Sequence, residues 1–235
     1  MPKDKPYSED AIQALTPKQW IQVKVLDVAP IDSLYVIIGF LQEYFGGYAL
    51  QKETVDLFFV NEYDKAQLFV QLCRYYLTSI NCPDDVELVK VETGHSYVRS
   101  PQICTQLKQI FTVKKPDFLQ HQCYTLSKDD DLYKNPKELY GHQKYLFNFK
   151  RYSYLLGVFI KNALEHEPVV HFANADDKAQ FTIEILKEFN AFGDAALKVN
   201  YFFGTPTVTK IILSEDNLLW GAIDQYLMDI QQVDH

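Results

Sequence analysis

LFFVNEYDKAQLFVQL, residues Leu57–Leu72, and VHFANADDKAQFTIEI, residues Val170–Ile185, read as two copies of one strand-to-helix corner. Laid over each other at a constant offset, they share Phe59/Phe172, Asn61/Asn174 and the run Asp64-Lys65-Ala66-Gln67 against Asp177-Lys178-Ala179-Gln180. Leu57 to Val60 is a short apolar run of the kind a strand buried on both faces shows. Asn61 and Asn174 then stop the strand, because an Asn side-chain oxygen accepts from the free N–H groups that open a helix. Asp64 and Asp177, three residues on, are spaced to reach back to the Asn backbone N–H in a capping box with Asp in place of Glu. Their carboxylates also complement the positive end of the helix dipole. Beyond them Ala66, Val70, Cys73 and Leu77 fall on one helical face, with Ala179, Ile183 and Leu186 at matching places in the second copy. An anion site at the helix start is the competing reading. An Asp at the anion's own position repels phosphate, and no Gly lets the backbone approach. Capping is the expectation.

Each corner is preceded by a helical pattern. In the first half Asp32 is placed to cap SLYVIIGFLQEYF, which runs out at Gly46-Gly47. In the second, Tyr140–Glu167 carries Tyr145, Phe149, Tyr152, Leu156, Phe159 and Ala163 at steps of three and four. Strands are expected after the corners, at Val86–Val91 in the first half and at Lys198–Phe203 and Thr207–Leu213 in the second. The expected fold is α/β, made of two diverged α/β repeats, each helix–strand–helix–strand–helix, in a three-layer or two-lobed pseudo-symmetric arrangement. The expected boundaries are an N-terminal segment with short helices (1–20), a first repeat (21–126), a charged linker (127–139) and a second repeat (140–235). Ser8, Thr16-Pro17 and Ser214 carry the start signals of further helices, and Val23–Val28 those of a strand. Asp129-Asp130-Asp131 lacks the alternating ligands, Gly and Glu of a calcium loop and reads as solvated linker.

At 235 residues the chain can bury a sizeable core, and a 47% hydrophobic, 23% charged composition is that of a folded globular protein. A net charge of −8 argues against a general nucleic-acid or anionic-membrane binder, since both need a basic face. Lys144, Lys150 and Arg151, with aromatics nearby, are the one local basic group that could serve single strands. No apolar run is long enough to span a bilayer, and MPKDKPYSED lacks a signal-peptide core, so a cytoplasmic location is the default expectation. Cys73, Cys82, Cys104 and Cys123 form no C-x-x-C pair, and His121 with Cys123 has no second ligand pair. No metal or cofactor is therefore expected. With 16 Tyr and 16 Phe the chain is rich in side chains that suit interfaces as well as cores.

The best chemical candidate is TGHSYVRSP, Thr93–Pro101, read as a loop after a strand, with Gly94 for backbone freedom. His95, Ser96 and Arg99 are its candidate ligand-binding residues: Arg99 to fork a carboxylate or phosphate, His95 to act as acid or base. The competing reading is an ordinary turn in which Ser100 caps the next helix and Arg99 lies in solvent; the second half, with GTPTVTK, lacks both His and Arg. There is no Walker A loop, G-x-G-x-x-G, G-x-S-x-G elbow or H-E-x-x-H. The expectation is a non-catalytic interaction or assembly protein, with a protein partner or a homo-oligomer. The alternative is a small-molecule or phosphate-ester binding protein or hydrolase using Thr93–Pro101.

Overall fold

In the computed structural model, which describes residues 31–41, 53–114, 123–133, 142–162, 169–173, 175–189, 198–202 and 208–212, the first described element is a helix with almost no polar face. This is α1, Ser33–Phe40, in which Tyr35 to Phe40 are all buried. A helix that is apolar all round belongs inside a core. Asp32 caps it as expected, accepting from the N–H groups of Leu34 at 3.2 Å and Tyr35 at 3.4 Å, a contact type worth about 1 kcal/mol. The remaining elements follow in order. They are β1 (Thr54–Phe58), a 3-10 turn (Val60–Glu62), α2 (Tyr63–Ser79), β2 (Glu87–Lys90), β3 (Ser96–Arg99), α3 (Pro101–Ile110), β4 (Phe111–Lys114) and β5 (Cys123–Leu126). After a second 3-10 turn (Asp131–Tyr133) come α4 (His142–Asn162), β6 (Val169–Ala173), α5 (Asp176–Phe189), β7 (Lys198–Phe202) and β8 (Val208–Ile212). The protein is thus a mixed α/β fold of helices and small antiparallel sheets.

The same small topology occurs twice. β1, β3 and β2 form a three-stranded antiparallel sheet in that order, and β6, β8 and β7 form another in the equivalent order. In each half a helix joins the first strand to the second, and the last strand returns between them. The two sheets are separate; β4 and β5 pair as a hairpin of their own.

The halves meet where α1 packs on α4. Gly39 and Gly157 make that crossing possible. A Cβ at Gly39 would lie within contact distance of the Tyr154 carbonyl and 3.0 Å from the Val158 nitrogen, while one at Gly157 would meet the Val36 carbonyl and lie 2.8 Å from the Phe40 nitrogen. The contact is reciprocal: each Gly follows by three residues the carbonyl that the other Gly approaches. Tyr152, Tyr154, Leu155, Leu156, Val158 and Phe159 of α4 are buried around it, as are Val36, Ile37, Ile38 and Phe40 of α1. Each such side chain contributes roughly 1.5–3 kcal/mol of burial.

Several expectations hold, and several need correction. Ala66, Val70, Cys73 and Leu77 are all buried, as are Ala179, Ile183 and Leu186. Ser100 caps α3, accepting from the Ile103 N–H at 3.2 Å, with Pro101 at the first helical position. The strand at Leu57–Val60 is not buried on both faces. β1 is an edge strand covered by helix on one side, so Asp56 and Phe58 point inward while Leu57 is 50% exposed. The first half runs helix–strand–helix–strand–strand–helix, because the stretch read as the loop Thr93–Pro101 turns at Gly94, φ +83°, and returns as β3, the central strand. The capping box is also displaced. α2 starts after Glu62 with no side-chain cap; Asn61 lies in the 3-10 turn, Asp64 in the first helical turn, and it is Glu62 whose carboxylate accepts the Phe59 N–H at 3.1 Å. Asp177 is the second residue of α5, and Asn174 lies outside the described residues. Of the stretch read as linker, 127–133 is described, and Leu132 within it is fully buried. The segment 1–20, the strand at Val23–Val28, Gly46-Gly47, the rest of the linker and the helix after Ser214 lie outside the described residues.

The two corners also differ in length. Inward Phe58 stands opposite Ser96 and inward Asp56 opposite Val98; in the second half Phe172 stands opposite Thr209 and Val170 opposite Ile211. The structural partner of Phe172 is therefore Phe58, not the Phe59 that the constant sequence offset selects. The 3-10 turn absorbs one additional residue between strand and helix. A slip of one residue exchanges the faces of a strand, and Phe59 consequently lies outside at 50% exposure.

Candidate functional site

The three residues of Thr93–Pro101 do not converge. Ser96 faces inward on β3 and is buried, while Arg99, three residues on, lies on the outer face. There its Nη2 and Nε donate to Glu53 Oε2 at 2.6 Å and 3.1 Å, and its Nη1 donates to Glu87 Oε1 at 3.1 Å. The hydrogen bonds it donates to Glu53 and then to Glu87 raise the guanidinium pKa further. Arg99 thus ties the start of β1 to β2 across the central strand. His95 sits at the turn, its ring edge-on to Phe59 with centroids 5.6 Å apart, and its Nδ1 is buried with no hydrogen-bond partner among the described residues.

What this end of the sheet presents outward is apolar. Leu57, Phe59, Val60 and Val91 are 50%, 50%, 59% and 38% exposed. Phe59, Val60 and Val91 gather around one turn: Val60 lies over Gly94, the Val91 N–H donates to the His95 carbonyl at 3.0 Å, and Phe59 leans on the His95 ring, while Leu57 lies two residues before Phe59, opposite Tyr97. Tyr201 and Phe202, at the end of β7, are likewise more than half exposed. Contiguous apolar surface of this kind marks an interaction site more often than scattered single residues do.

Beneath the patch lies a group of buried charges that the sequence reading did not single out. Asp56, Lys161 and Lys178 are 1%, 4% and 3% exposed. Asp56 Oδ1 accepts the Leu57 N–H at 3.0 Å, while Oδ2 has no hydrogen-bond partner among the described residues. Lys161 Nζ lies 3.7 Å from Glu62 Oε1, an ion pair longer than a hydrogen bond, and hangs over the rings of Phe58 at 4.2 Å and Phe40 at 5.1 Å. Lys178 Nζ donates to the carbonyls of Gly39 at 2.7 Å and Leu41 at 2.6 Å, at the C-terminal end of α1. Lys65 Nζ donates to the carbonyl of Lys161, near the end of α4, at 2.9 Å. The lysine of each Asp-Lys-Ala-Gln run therefore crosses to the terminal carbonyls of α1 or α4 in the other half, where cations are favoured.

The electrostatics follow from burial. Desolvation lifts the Asp56 carboxyl from 3.8 to about 6 in spite of Lys161. Desolvation lowers Lys178 from 10.5 to about 7, partly offset by Asp56, and lowers Lys161 as well. Asp56 occupies the inward position that Val170 fills in the second sheet, so the fold itself does not call for a carboxylate there. The signals available were the single charge inside VDLFFV and the repeated lysine.

Below α5, a cleft of about 690 Å³ is lined by Tyr133 and Phe181, whose ring centroids are 4.8 Å apart, and by Asp129, Asp177 and Glu184. Burial, then Asp177, push the Tyr133 phenol up to about 12. Three carboxylates against the single cation Lys128 make this cleft a poor receptor for a phosphate ester, and Arg99 is not part of its wall. Lys150 of the basic group stands 4.8 Å over the Tyr35 ring, and Arg151 is buried, donating to the Leu132 carbonyl at 2.8 Å. Among the described residues no group of His, Cys, Asp and Glu is arranged to hold a metal ion, and no helix is long and apolar enough to cross a membrane. No family model, no curated protein and no solved structure matches the chain.

Proposed function

We propose that the chain is a non-catalytic interaction or assembly protein of the cytoplasm, built from two diverged repeats and docking through the apolar patch at the first corner. The observation that carries this reading is the run Leu57, Phe59 and Val60 beside Val91, all exposed on one end of a sheet. The duplication is supported by the matching strand orders, the reciprocal glycine crossing and the reciprocal lysine contacts. The non-catalytic reading is supported by the state of the polar candidates: Arg99 is engaged by two carboxylates, and Ser96 is turned into the core. The expected occupant of the patch is a protein, in the simplest case a second copy of the chain, since apolar area centred on an aromatic side chain is what interface cores use.

Sedimentation velocity over a concentration series, on wild type and on the Phe59→Glu/Val60→Asp double variant, tests this. A dimer in wild type that becomes a monomer in the variant, with the circular dichroism unchanged, is the expected result. A wild-type monomer throughout, or an oligomer indifferent to both substitutions, would overturn the assignment of the patch to a second copy.

A further inference from the structure

The apolar residues left outside at the end of the second sheet stand where those of the first sheet do. Lys90 stands opposite Ser96 on the central strand β3, and Tyr201 stands opposite Thr209 on the central strand β8. Ser96 and Thr209 are equivalent, since Phe58 and Phe172 stand opposite them from the other side. One residue on, Val91 and Phe202 therefore occupy a single position of the repeated topology. Both are exposed, at 38% and 56%, and Tyr201 beside Phe202 is exposed at 53%. The row that holds Phe202 also contains Val208 and Ala173, as the row of Val91 contains His95 and Phe59. Ala173 and Phe59 are exposed as well. The core explains the apolar residues that point inward from both sheets, but it does not call for Val91 or Phe202. Their recurrence at one place in both halves points to a cover at both.

Area and charge together name that cover. A half-exposed side chain of this size offers about 100 Å², so Leu57, Phe59, Val60 and Val91 present roughly 350 Å² and Tyr201 with Phe202 roughly 250 Å². An interface of ordinary size takes about 800 Å² from each partner, of which about 450–500 Å² is apolar. Neither patch reaches that alone, and the two together do, at about 600 Å². A second copy covers both at once when its first patch meets the second patch of its partner and the reverse, which is the reciprocal contact of a two-fold axis. The free charges beside the patches agree. Exposed Glu92 follows Val91, and Lys210 lies two residues from Val208 on the same face of β8; neither has a hydrogen-bond or ion-pair partner among the described residues. First patch against second brings Glu92 towards Lys210 of the partner, whereas either patch against itself would bring like charges together.

We propose that Tyr201 and Phe202 form a second docking surface, and that the protein closes into a two-fold dimer in which each copy's Phe59, Val60 and Val91 cover its partner's Tyr201 and Phe202. The pairing rests on the docking function proposed above and names the surface that the first patch meets: the opposite half of a second copy. One chain then carries both members of the contact, a mainly aliphatic surface on its first half and an aromatic one on its second. Two such contacts form in each dimer, so a substitution in either patch is felt twice.

Complementation between two damaged copies tests the pairing. Sedimentation velocity is run on the full-length wild type, on Phe59→Glu/Val60→Asp, on Tyr201→Lys/Phe202→Lys and on an equimolar mixture of the two variants. The substituted side chains are all exposed, and an unchanged circular dichroism spectrum checks the fold. Each variant alone sets its charges against an intact apolar patch in both contacts, so dimerisation should weaken by at least about a hundredfold. In the mixed dimer one contact is wholly wild type and the other sets the new acids against the new lysines. The mixture should therefore sediment as a dimer at concentrations where each variant is monomeric. A mixture that stays monomeric would overturn the pairing, as would a Tyr201→Lys/Phe202→Lys protein that dimerises like wild type. The latter result keeps the docking function, with the first patch meeting its own copy. A wild type that is monomeric throughout removes both. Lys210→Glu is a second probe that leaves both patches untouched: it should weaken the dimer about fivefold, and Glu92→Lys in the same chain should restore it. A dimer indifferent to Lys210→Glu, or a loss that Glu92→Lys does not restore, would also overturn the pairing.

Discussion

Replacing Gly157 by Ala sets two effects of opposite sign against each other at one position. Within a helix Ala is favoured over Gly by about 1 kcal/mol, so at a solvent-facing site in the middle of α4 the substitution would stabilise the protein. The structure places Gly157 on the α1 crossing. The added Cβ would stand 2.8 Å from the Val36 carbonyl carbon and from the Phe40 nitrogen, where ordinary contact begins at 3.4 Å, and it would press hardest on the Val36 carbonyl oxygen. These are backbone atoms of a packed helix and cannot rotate aside. α1 must move outward, and the contacts of Val36, Ile37 and Phe40 with α4 loosen together. Overpacking costs about 1–3 kcal/mol, and the gap opened beside the crossing adds a cavity cost. After the propensity gain a net loss of about 1–3 kcal/mol is expected, or a midpoint lower by roughly 2–12 °C in a chain of this size. Urea unfolding followed by circular dichroism measures it, on Gly157→Ala, Gly39→Ala and the double variant. Because both glycines serve one crossing, the double variant should lose less than the two single losses added together. Either single variant matching or exceeding wild type would refute the reasoning, as would strict additivity.

Other consequences follow from the same contacts. The Asp56 carboxyl is lifted to about 6 from 3.8, so the folded state holds more protons than the unfolded state in that interval, and this group's contribution falls as pH rises from about 4 to 6. Asp56→Asn should remove that fall from a urea-midpoint profile, and a profile unchanged by the substitution would contradict the burial assigned to Asp56. Arg99→Ala removes only exposed ion pairs, so the unfolding midpoint should scarcely move, while its dependence on salt should weaken. A large loss would show that the Glu53–Arg99–Glu87 tie holds the sheet. Ser100→Ala removes the α3 cap and the bond from Ser100 Oγ to Asp85 at 2.8 Å. A loss of about 1 kcal/mol, in the range of N-cap deletions, is expected in chemical denaturation; no loss would mean that Asp85, which accepts the Gln102 N–H at 2.7 Å, carries the helix start alone.

Local chemistry was legible wherever one residue sufficed. Asp32 and Ser100 cap the helices their positions announce, because a cap needs only a side chain within three residues of its amide. The apolar stripes of α2 and α5 follow from a period that every helix shares. The repeated corner was visible for the same reason, and so was the presence of helix and strand in alternation. Its register was not. Whether Phe58 or Phe59 faces the core depends on one extra residue in the turn at Val60–Glu62, and residue matching at constant offset passes over it. The strand at Ser96–Arg99 was hidden because its pairing partners, β1 and β2, lie on either side of it through non-local contacts.

The candidate site divides in the same way. His95, Ser96 and Arg99 are neighbours in sequence, but a strand sends alternate side chains to opposite faces, and so their closeness in the chain does not bring their chemistry together. Asp56, Lys161 and Lys178 are far apart in sequence and meet only because α1 and α4 cross at two glycines and draw the two corners beneath one core. By itself the sequence determined the caps at Asp32 and Ser100, the helices that follow the corners and their apolar faces, which short-range geometry controls. The tertiary structure alone decided which charges are buried together and which apolar residues are left outside, because desolvation depends on every neighbour that packing brings into place.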